Sequence, residues 1–396
     1  MKKQRFRFKI LALVVFGLFA LLAFYGGYSV LTYGDRWFAS SHNGRVRQQK
    51  QTVAAGSILD RDGTVLASNA ADGTRVYAEN PAVRRAMVHV VGDRDGRVSN
   101  SVESFHASYL YGFRTSLWER VRLLLSGGER VGDTVRLTLS ADLCTRLTSA
   151  FERHGVRTGA AVVMDWQTGE ILAMVSLPSF DPMDAEAELP AGARYNRATQ
   201  TLLNPGAAFA PVAAACGPLT PEALQAAAEA FGYNDNFLFS DLVVENSVYP
   251  TDRDAGMLAQ RAAGTDGVRA TPLHLCMTAC AAANGGQMMT PRLILSVAAP
   301  DGKTRHTPLP TVYRTAFRAE QMDTVRACFT EDGLTGIASD TCYLGYLPDI
   351  GRPWAVCVAV WDGTDARIPA AVAEEALAQQ NINSAGGSRN SADRGE

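Results

Sequence analysis

The chain has 396 residues, 47% of them hydrophobic, which is enough for a sizeable core and more than one domain. Its formal net charge of −2 argues against a broad nucleic-acid-binding surface. The six histidines are scattered and never combine with cysteines at the spacing of metal ligands, so the sequence predicts no metal site and no cofactor.

The first predicted element is an apolar run of 22 residues, 10–31, that contains no charged side chain. A helix of this length can cross a hydrocarbon core about 30 Å thick. Basic residues crowd the segment before it, so the positive-inside rule places the N-terminus in the cytoplasm and everything after Tyr33 outside. A cleaved signal peptide is the alternative. The run is longer than the usual apolar core of such a signal, which favours an uncleaved anchor over residues 1–33.

Residues 34–140 are predicted to form a first extracytoplasmic domain. Asp62-Gly63 is a turn between two short β-forming runs, 57–59 and 64–67, which predicts a hairpin. The neighbouring Asp60-Arg61 pair taken alone is typical of a solvated surface. An amphipathic helix is predicted over 117–126, and the alternating pattern of 134–139 predicts a strand that leads into a second domain.

The second domain, residues 141–379, begins with a strong hairpin signal. Apolar β-forming runs over 159–176 flank a turn that closes on Gly169. Further along, Thr220 and Pro221 are a good helix start, and a buried helix is predicted over 273–283. The later predictions are strands over 341–347 and 354–361, a closing helix over 368–379, and a disordered polar tail over 380–396.

The seven cysteines are an odd number, and their spacing predicts no disulfide framework. Cys276 and Cys280 lie one helical turn apart within the predicted buried helix. We interpret them as small buried hydrophobic residues rather than as a disulfide or a reactive pair.

The segment 196–212 contains Asn196-Arg197-Ala198 followed by Asn-Pro-Gly-Ala-Ala-Phe-Ala-Pro at 204–211. It resembles the start of the active-site helix in class B penicillin-binding proteins, the peptidoglycan D,D-transpeptidases. The runs 55–67, 159–182 and 270–294 resemble other segments of the elongation or sporulation type of this family, so the likeness covers about residues 55–378. It implies an α+β fold: a transpeptidase (serine β-lactamase-like) domain with a central antiparallel sheet flanked by helices, an N-terminal pedestal domain and one transmembrane helix.

In that family the helix carries a nucleophilic serine and, three residues later, a lysine that activates it. Here these positions are Ala207 and Ala210. The spacing i, i+3 and the helix propensity are kept, but a methyl group has no lone pair and accepts no proton. No Ser-x-x-Lys sequence exists anywhere in the chain.

The two other family motifs also differ. No Ser-x-Asn follows the helix, because the residues from Leu219 begin a new helix almost at once. The Lys-Thr-Gly motif is replaced by Leu334, Thr335 and Gly336, and a leucine cannot pair with a substrate carboxylate. We therefore expect no catalytic residues, and we interpret Ala207, Ala210, Leu334, Thr335 and Gly336 as vestigial site positions.

The preferred hypothesis is a membrane-anchored pseudoenzyme that acts as a scaffold or regulator in peptidoglycan synthesis. The resemblance implies a SEDS-type membrane glycosyltransferase as partner. The alternative is a penicillin-binding transpeptidase or hydrolase with a relocated nucleophile. Its candidates are Cys216, Ser240 and Ser339, and we expect none of them to lie beside a recognisable base. A third hypothesis is non-covalent binding of a stem peptide around Thr335 and Gly336.

Overall fold

The computed structural model describes residues 2–38, 53–113, 125, 130–184, 188–330, 335–349, 351–362 and 365–387. The helices are α1 (Lys2–Phe38), α2 (Pro81–Val91), α3 (Val102–Phe105), α4 (Ala107–Leu110), α5 (Ala141–Arg153), α6 (Arg197–Gln200), α7 (Ala210–Ala215), α8 (Pro221–Phe231), α9 (Leu258–Ala262), α10 (Pro272–Ala283), α11 (Met322–Arg326) and α12 (Ile368–Gly387). Short 3₁₀ turns span Gly206–Phe209, Ala255–Met257 and Ala319–Gln321.

The strands are β1 (Ile58–Leu59), β2 (Val65–Asn69), β3 (Arg75–Tyr77), β4 (Thr134–Leu137), β5 (Gly159–Asp165), β6 (Ile171–Leu177), β7 (Gln287–Met289), β8 (Ile294–Ala298), β9 (Thr304–His306), β10 (Val312–Thr315), β11 (Thr335–Ala338), β12 (Cys342–Tyr346) and β13 (Trp354–Val360).

The larger part of the core is built around a five-stranded sheet with the order β11-β12-β13-β5-β6, in which all neighbours are antiparallel. Successive side chains of β12 and β6 are buried without alternation, so both faces of the sheet are covered. Helix α10 packs against β5, β12 and β13, while α5 and α12 pack against each other and against β6 and β13 respectively. All twelve residues of α10 are buried, as predicted for an apolar helix.

A second, mixed sheet has the order β3-β2-β1-β4-β8-β9. Strands β1 and β4 pair in parallel, and the other neighbours pair antiparallel. Its first four strands belong to the predicted pedestal, but β8 and β9 come from residues 294–306. The chain therefore returns to the mixed sheet after contributing β5 and β6 to the five-stranded sheet, which a division at residue 140 does not predict.

Helix α1 includes a 21-residue apolar segment, Lys9–Ser29, with a mean hydropathy of 2.4. In the described part of the chain it is the one helix long and apolar enough to cross a membrane, judged by length and composition. The helix continues to Phe38, and α1 contacts α3 and α4, which lie between β3 and β4 in the chain.

Two predicted boundaries differ from the structure or lie outside it. Helix α12 runs to Gly387, so the disordered tail predicted from Gln380 begins too early. The segment 378–385 contains no proline, so nothing in it stops a helix before Gly386-Gly387. Of the helix predicted over 117–126, all but Leu125 lies outside the described residues.

The Asp60-Arg61 pair is not the solvated surface feature that its sequence alone suggests. Asp60 is 2% exposed, and its Oδ1 accepts hydrogen bonds from the backbone N–H groups of Asp62 (2.9 Å) and Thr64 (2.7 Å). Its Oδ2 accepts a hydrogen bond from the N–H of Ala141 at 3.2 Å, at the first residue of α5. A carboxylate there also interacts favourably with the helix dipole. Asp60 thus joins the first hairpin to the helix that leads into the second sheet.

Arg61 extends this connection. Its Nη2 lies 3.5 Å from Oε2 of Glu170, and Oε1 of the same carboxylate lies 2.9 Å from Nη2 of Arg292. Arg292 also donates to the carbonyl oxygens of Thr168 (3.3 Å) and Pro308 (2.7 Å). We call Asp60, Arg61, Glu170 and Arg292 the junction network, because these residues connect the two sheets.

Replacing Asp60 with alanine should destabilise the protein by about 2–3 kcal/mol, because three backbone N–H groups lose a charged acceptor. The matched control is Asp62→Ala, two residues away and exposed, which should change stability by less than about 0.5 kcal/mol. Thermal unfolding of the full-length protein in detergent would measure both. Equal melting temperatures for the two variants would show that Asp60 does not hold the junction.

Candidate functional site

Ala207 and Ala210 lie at the start of a short helical segment. Ala207 is in the 3₁₀ turn Gly206–Phe209 and is exposed, and Ala210 begins α7 and is partly buried. Phe209 anchors the turn in the core, where its ring stacks on Tyr249 at 6.1 Å. The local sequence thus places residues 207 and 210 at the surface by burying the phenylalanine between them.

Two glycines let neighbouring backbone approach this turn closely. Gly206 has φ +54° and donates its N–H to the carbonyl of Gly264 at 3.1 Å. Gly264 has φ +69°, and a Cβ on it would lie 2.3 Å from the carbonyl oxygen of Gly206. A side chain at residue 264 is therefore excluded by both strain and contact.

Strand β11, at the edge of the five-stranded sheet, contacts the same turn. The chain after β11 reaches the residues just before this turn: Thr341 Oγ1 donates to the Asn204 carbonyl at 3.4 Å, and Sγ of Cys342, at the start of β12, lies 3.6 Å from the Pro205 carbonyl. The structure thus brings Ala207 and the strand that carries Thr335 and Gly336 to one place. Leu334 lies outside the described residues.

The outer edge of β11 is occupied by the chain itself. Gly336 and Thr330 exchange both backbone hydrogen bonds, each at 3.0 Å, and Thr330 Oγ1 donates to the Gly336 carbonyl at 3.1 Å. Phe329 is buried next to it and packs edge-on against Tyr346. The position at Gly336 where an added peptide strand would pair is therefore already paired.

Gly336 has a packing role of its own. A Cβ on it would lie 2.1 Å from the hydroxyl oxygen of Tyr343, whose ring crosses from β12 over β11. Gly345, opposite Gly336 in the register, is crowded by the same ring. Any side chain at residue 336 would displace Tyr343.

Ser339 is the candidate nucleophile that lies at this place. Its Cβ is 3.3 Å from the position of a Cβ on Gly206. Its Oγ lies 3.2 Å from both the carbonyl oxygen and the thiol of Cys342, and it accepts the Cys342 N–H. Burial raises the pKa of the Cys342 thiol to about 11, so this neighbour stays protonated at neutral pH. Within the described residues, the hydrogen-bond partners of the Ser339 hydroxyl therefore include no base.

Ser240 requires a correction, because the prediction that no base lies beside it is wrong. Its hydroxyl donates to Asp241 Oδ1 at 2.8 Å. The other carboxylate oxygen, Oδ2, accepts the N–H groups of Leu293 and Ile294, each at 3.0 Å. Asp241 is buried, and these bonds fix the start of β8 in the mixed sheet. The Ser240 pair thus belongs to the mixed sheet, whereas Ala207 lies beside the five-stranded one.

Cys216, the third candidate, follows α7 and is partly buried. Its thiol lies 3.6 Å from the carbonyl oxygen of Pro218. Burial raises the pKa of this thiol above its ordinary value. An activated cysteine needs the opposite shift, which a cationic neighbour or a long helix N-terminus provides.

The core contains a Ser–His pair that no sequence motif reveals. His274 Nδ1 lies 2.7 Å from Ser247 Oγ, and Nε2 lies 2.8 Å from the Phe231 carbonyl. Nε2 must donate to that carbonyl, so Nδ1 accepts from the serine. Both residues are fully buried, and burial lowers the pKa of His274 to about 4. No substrate can reach this pair, and its role is to satisfy buried polar groups.

All seven cysteines are free, and five of them are buried. Cys276 and Cys280 are among these five, in agreement with their interpretation as small core residues. Within the described residues, no group of three or more histidine, cysteine, aspartate or glutamate side chains could hold a metal ion.

One segment of the chain is similar to a known protein family. Residues 159–218 match the model of the penicillin binding protein transpeptidase domain. Over 65 residues the chain is 42% identical to a probable peptidoglycan D,D-transpeptidase PenA of Neisseria flavescens and 38% identical to that of Neisseria gonorrhoeae. These matches span 16% of this chain, and 16% and 11% of the two relatives.

Comparison with solved structures covers most of the chain. The imipenem acyl-enzyme of penicillin-binding protein A from M. tuberculosis aligns over 83% of this chain and 99% of its own, with a TM-score of 0.73 and 21% identity. The D,D-transpeptidase domain of a peptidoglycan glycosyltransferase from Eggerthella lenta aligns over 83% and 98%, with a TM-score of 0.68 and 22% identity. The protein therefore has the fold of the penicillin-binding protein transpeptidases, and its sequence match to that family lies in residues 159–218, which include Ala207 and Ala210.

Proposed function

We propose that this protein is a membrane-anchored, penicillin-binding-protein-like pseudoenzyme that acts as a non-catalytic scaffold or regulator in peptidoglycan synthesis. One observation carries the proposal: within the matched segment, alanines occupy the exposed start of the helix where this family presents serine and lysine. Acyl transfer requires a nucleophilic heteroatom and a neighbouring proton acceptor. Two methyl groups supply neither.

The surroundings of Ala207 support the same conclusion. The edge of β11 is paired at Gly336 by Thr330, and Tyr343 occupies the space above that glycine. Both contacts argue against a stem peptide adding itself to this part of the strand. A glycine at residue 336 is thus explained by the packing of this chain, without a role in substrate binding.

The retained part of the family pattern supports a structural role. The segments 55–67, 159–176 and 289–294 resemble the family and contribute all four residues of the junction network. Sequence likeness thus persists where the two sheets are joined, while the catalytic side chains are absent. Such a distribution is expected of a protein that keeps its fold for binding a partner but has no catalytic activity.

The apolar segment of α1 supports the proposed location and the proposed kind of partner. We infer that α1 spans the bacterial plasma membrane with the N-terminus in the cytoplasm and the two sheets outside, because basic residues precede the apolar segment. A scaffold held there would act on a membrane partner, for which a SEDS-type glycosyltransferase is the candidate. The anchor and the pedestal would provide the contacts.

The alternative function, a transpeptidase or hydrolase with a relocated nucleophile, is favoured by one observation, the hydrogen bond between Ser240 and Asp241.

We expect no covalent adduct when the full-length protein in membranes is treated with a fluorescent penicillin and separated by denaturing electrophoresis. An acylating penicillin-binding protein serves as the positive control. A labelled band that disappears in Ser240→Ala, Ser339→Ala or Cys216→Ala would overturn the pseudoenzyme proposal.

The thiol of Cys216 should behave as an unactivated cysteine. Since burial raises its pKa, the rate of alkylation by iodoacetamide should rise about tenfold per pH unit between pH 7 and pH 9. The partly buried Cys328, whose pKa is also raised by burial, is the matched control and should show the same slope. Mass spectrometry of the modified peptides measures both rates. If the alkylation rate of Cys216 does not rise with pH above pH 7, the thiol is already a thiolate, which would support the relocated nucleophile.

A scaffold should remain bound to its partner, the proposed SEDS-type glycosyltransferase, when membranes are solubilised with detergent. We expect the tagged full-length protein to co-purify with a membrane glycosyltransferase, and Ala207→Ser to leave the yield unchanged, because residue 207 lies outside the proposed contact surface. Asp60→Ala should reduce the yield by weakening the junction. Quantitative proteomics of the eluate provides the measurement. If the eluate contains no glycosyltransferase and a deletion strain synthesises its cell wall normally, the proposal is wrong.

A further inference from the structure

The N-terminal end of α1 concentrates positive charge. Of the 38 lysine and arginine residues in the chain, five precede Ile10 and none of the 40 aspartate and glutamate residues does, so the chain from Ile10 onward has a formal net charge of −7. The five cations are Lys2, Lys3, Arg5, Arg7 and Lys9. We call residues 2–9 the basic tip. Its positive charge is thus separated from a remainder that is acidic as a whole.

The basic tip belongs to the same continuous helix as the apolar segment Lys9–Ser29. That segment is not covered by the rest of the described protein, since Phe16, Phe19 and Phe24 are 75%, 67% and 78% exposed. A helix that is apolar on every side and not buried in protein requires hydrocarbon around it. This observation indicates lipid as the ligand next to the basic tip.

Helical spacing distributes the five cations over two faces of the basic tip. Lys2, Arg5 and Lys9 occupy positions i, i+3 and i+7 and share one face. Lys3 and Arg7, at i and i+4, share another. The helix from Lys2 to Lys9 extends about 10 Å along its axis, close to the Debye length of about 8 Å at physiological ionic strength. All five cations therefore lie near enough to act on the headgroup layer beside the apolar segment.

We propose that the basic tip binds the headgroups of anionic phospholipids in the cytoplasmic leaflet and prefers them to zwitterionic headgroups. The inference rests on the proposed function for the side of the membrane on which the tip lies. A lysine or arginine close to an anionic membrane surface contributes about fivefold in affinity. Phosphate oxygens also accept charge-assisted hydrogen bonds from both side chains. The anchor thereby selects the lipids around it, besides holding the protein in the membrane.

Two phospholipids with the same acyl chains provide a matched test, phosphatidylglycerol with a negatively charged headgroup and phosphatidylcholine with a neutral one. The full-length protein in a neutral detergent is titrated with each, and native mass spectrometry counts the bound lipids. We expect about tenfold tighter binding of phosphatidylglycerol at about 0.1 M ammonium acetate. The two lipids should bind nearly equally at about 1 M, where the Debye length falls to about 3 Å.

The triple variant Lys2→Gln, Arg5→Gln and Lys9→Gln removes the cations of one face of the tip. It should reduce the preference for phosphatidylglycerol to about threefold, because two cations remain. The charge-preserving variant Lys2→Arg, Arg5→Lys and Lys9→Arg should keep the tenfold preference, since the binding depends on charge. The same titration measures both variants.

The matched control removes three exposed cations outside the tip, Arg85→Gln, Arg94→Gln and Arg269→Gln, and should leave the preference unchanged. Equal binding of the two lipids by the unmodified protein would overturn the proposal and leave an acidic protein as the partner that fits the tip. An unchanged preference in the glutamine variant of the tip, or an equal loss in that variant and the control, would overturn it as well.

Complete competition by inorganic phosphate at the concentration of the lipid would also overturn the proposal, because the tip would then recognise phosphate without a lipid. These titrations measure binding at the basic tip, whereas penicillin labelling tests the region of Ala207. The two proposals can therefore fail separately.

Discussion

The carboxylate of Asp60 is the contact on which the arrangement of the two sheets depends. It accepts hydrogen bonds from a turn in the mixed sheet and from the first residue of α5, the helix that packs on β6 of the other sheet. The adjacent Arg61 shares Glu170 with Arg292. Arg292 lies just before β8, so the chain itself also connects this point to the mixed sheet. Ion pairs and the covalent chain therefore hold the two sheets together at the same place.

The region of Ala207 is stable for a different reason. Its turn is held by glycine contacts and backbone hydrogen bonds, such as Gly206 to Gly264, and by the burial of Phe209. None of these contacts uses the side chains of residues 207 and 210. A polar pair at a surface helix start can thus be replaced by alanine at little cost to folding, since alanine has the highest helix propensity. The fold of this region therefore does not depend on polar side chains at residues 207 and 210.

Much of this architecture could be predicted from sequence where a local rule was strong. The hairpin at β5 and β6, the capped helix start at Thr220 and the buried helix at α10 all follow from periodicity and capping. The bond between Ser247 and His274 could not be predicted, because the two residues are 27 positions apart and meet only through tertiary packing. The burial of Asp60 was missed for the same reason, since its partner Ala141 lies 81 residues away.

The predicted site shows a further limit of sequence reasoning. Thr335 and Gly336 look like the remainder of a binding motif, yet Gly336 is required here because Tyr343 lies across it. Replacing this glycine would therefore damage packing whether or not any ligand binds. Loss of function in such a variant would say nothing about catalysis. The alanines are more informative, because Ala207 is exposed and its side chain supports nothing in the fold. Substitution there tests chemistry separately from stability, whereas substitution at the glycine confounds the two.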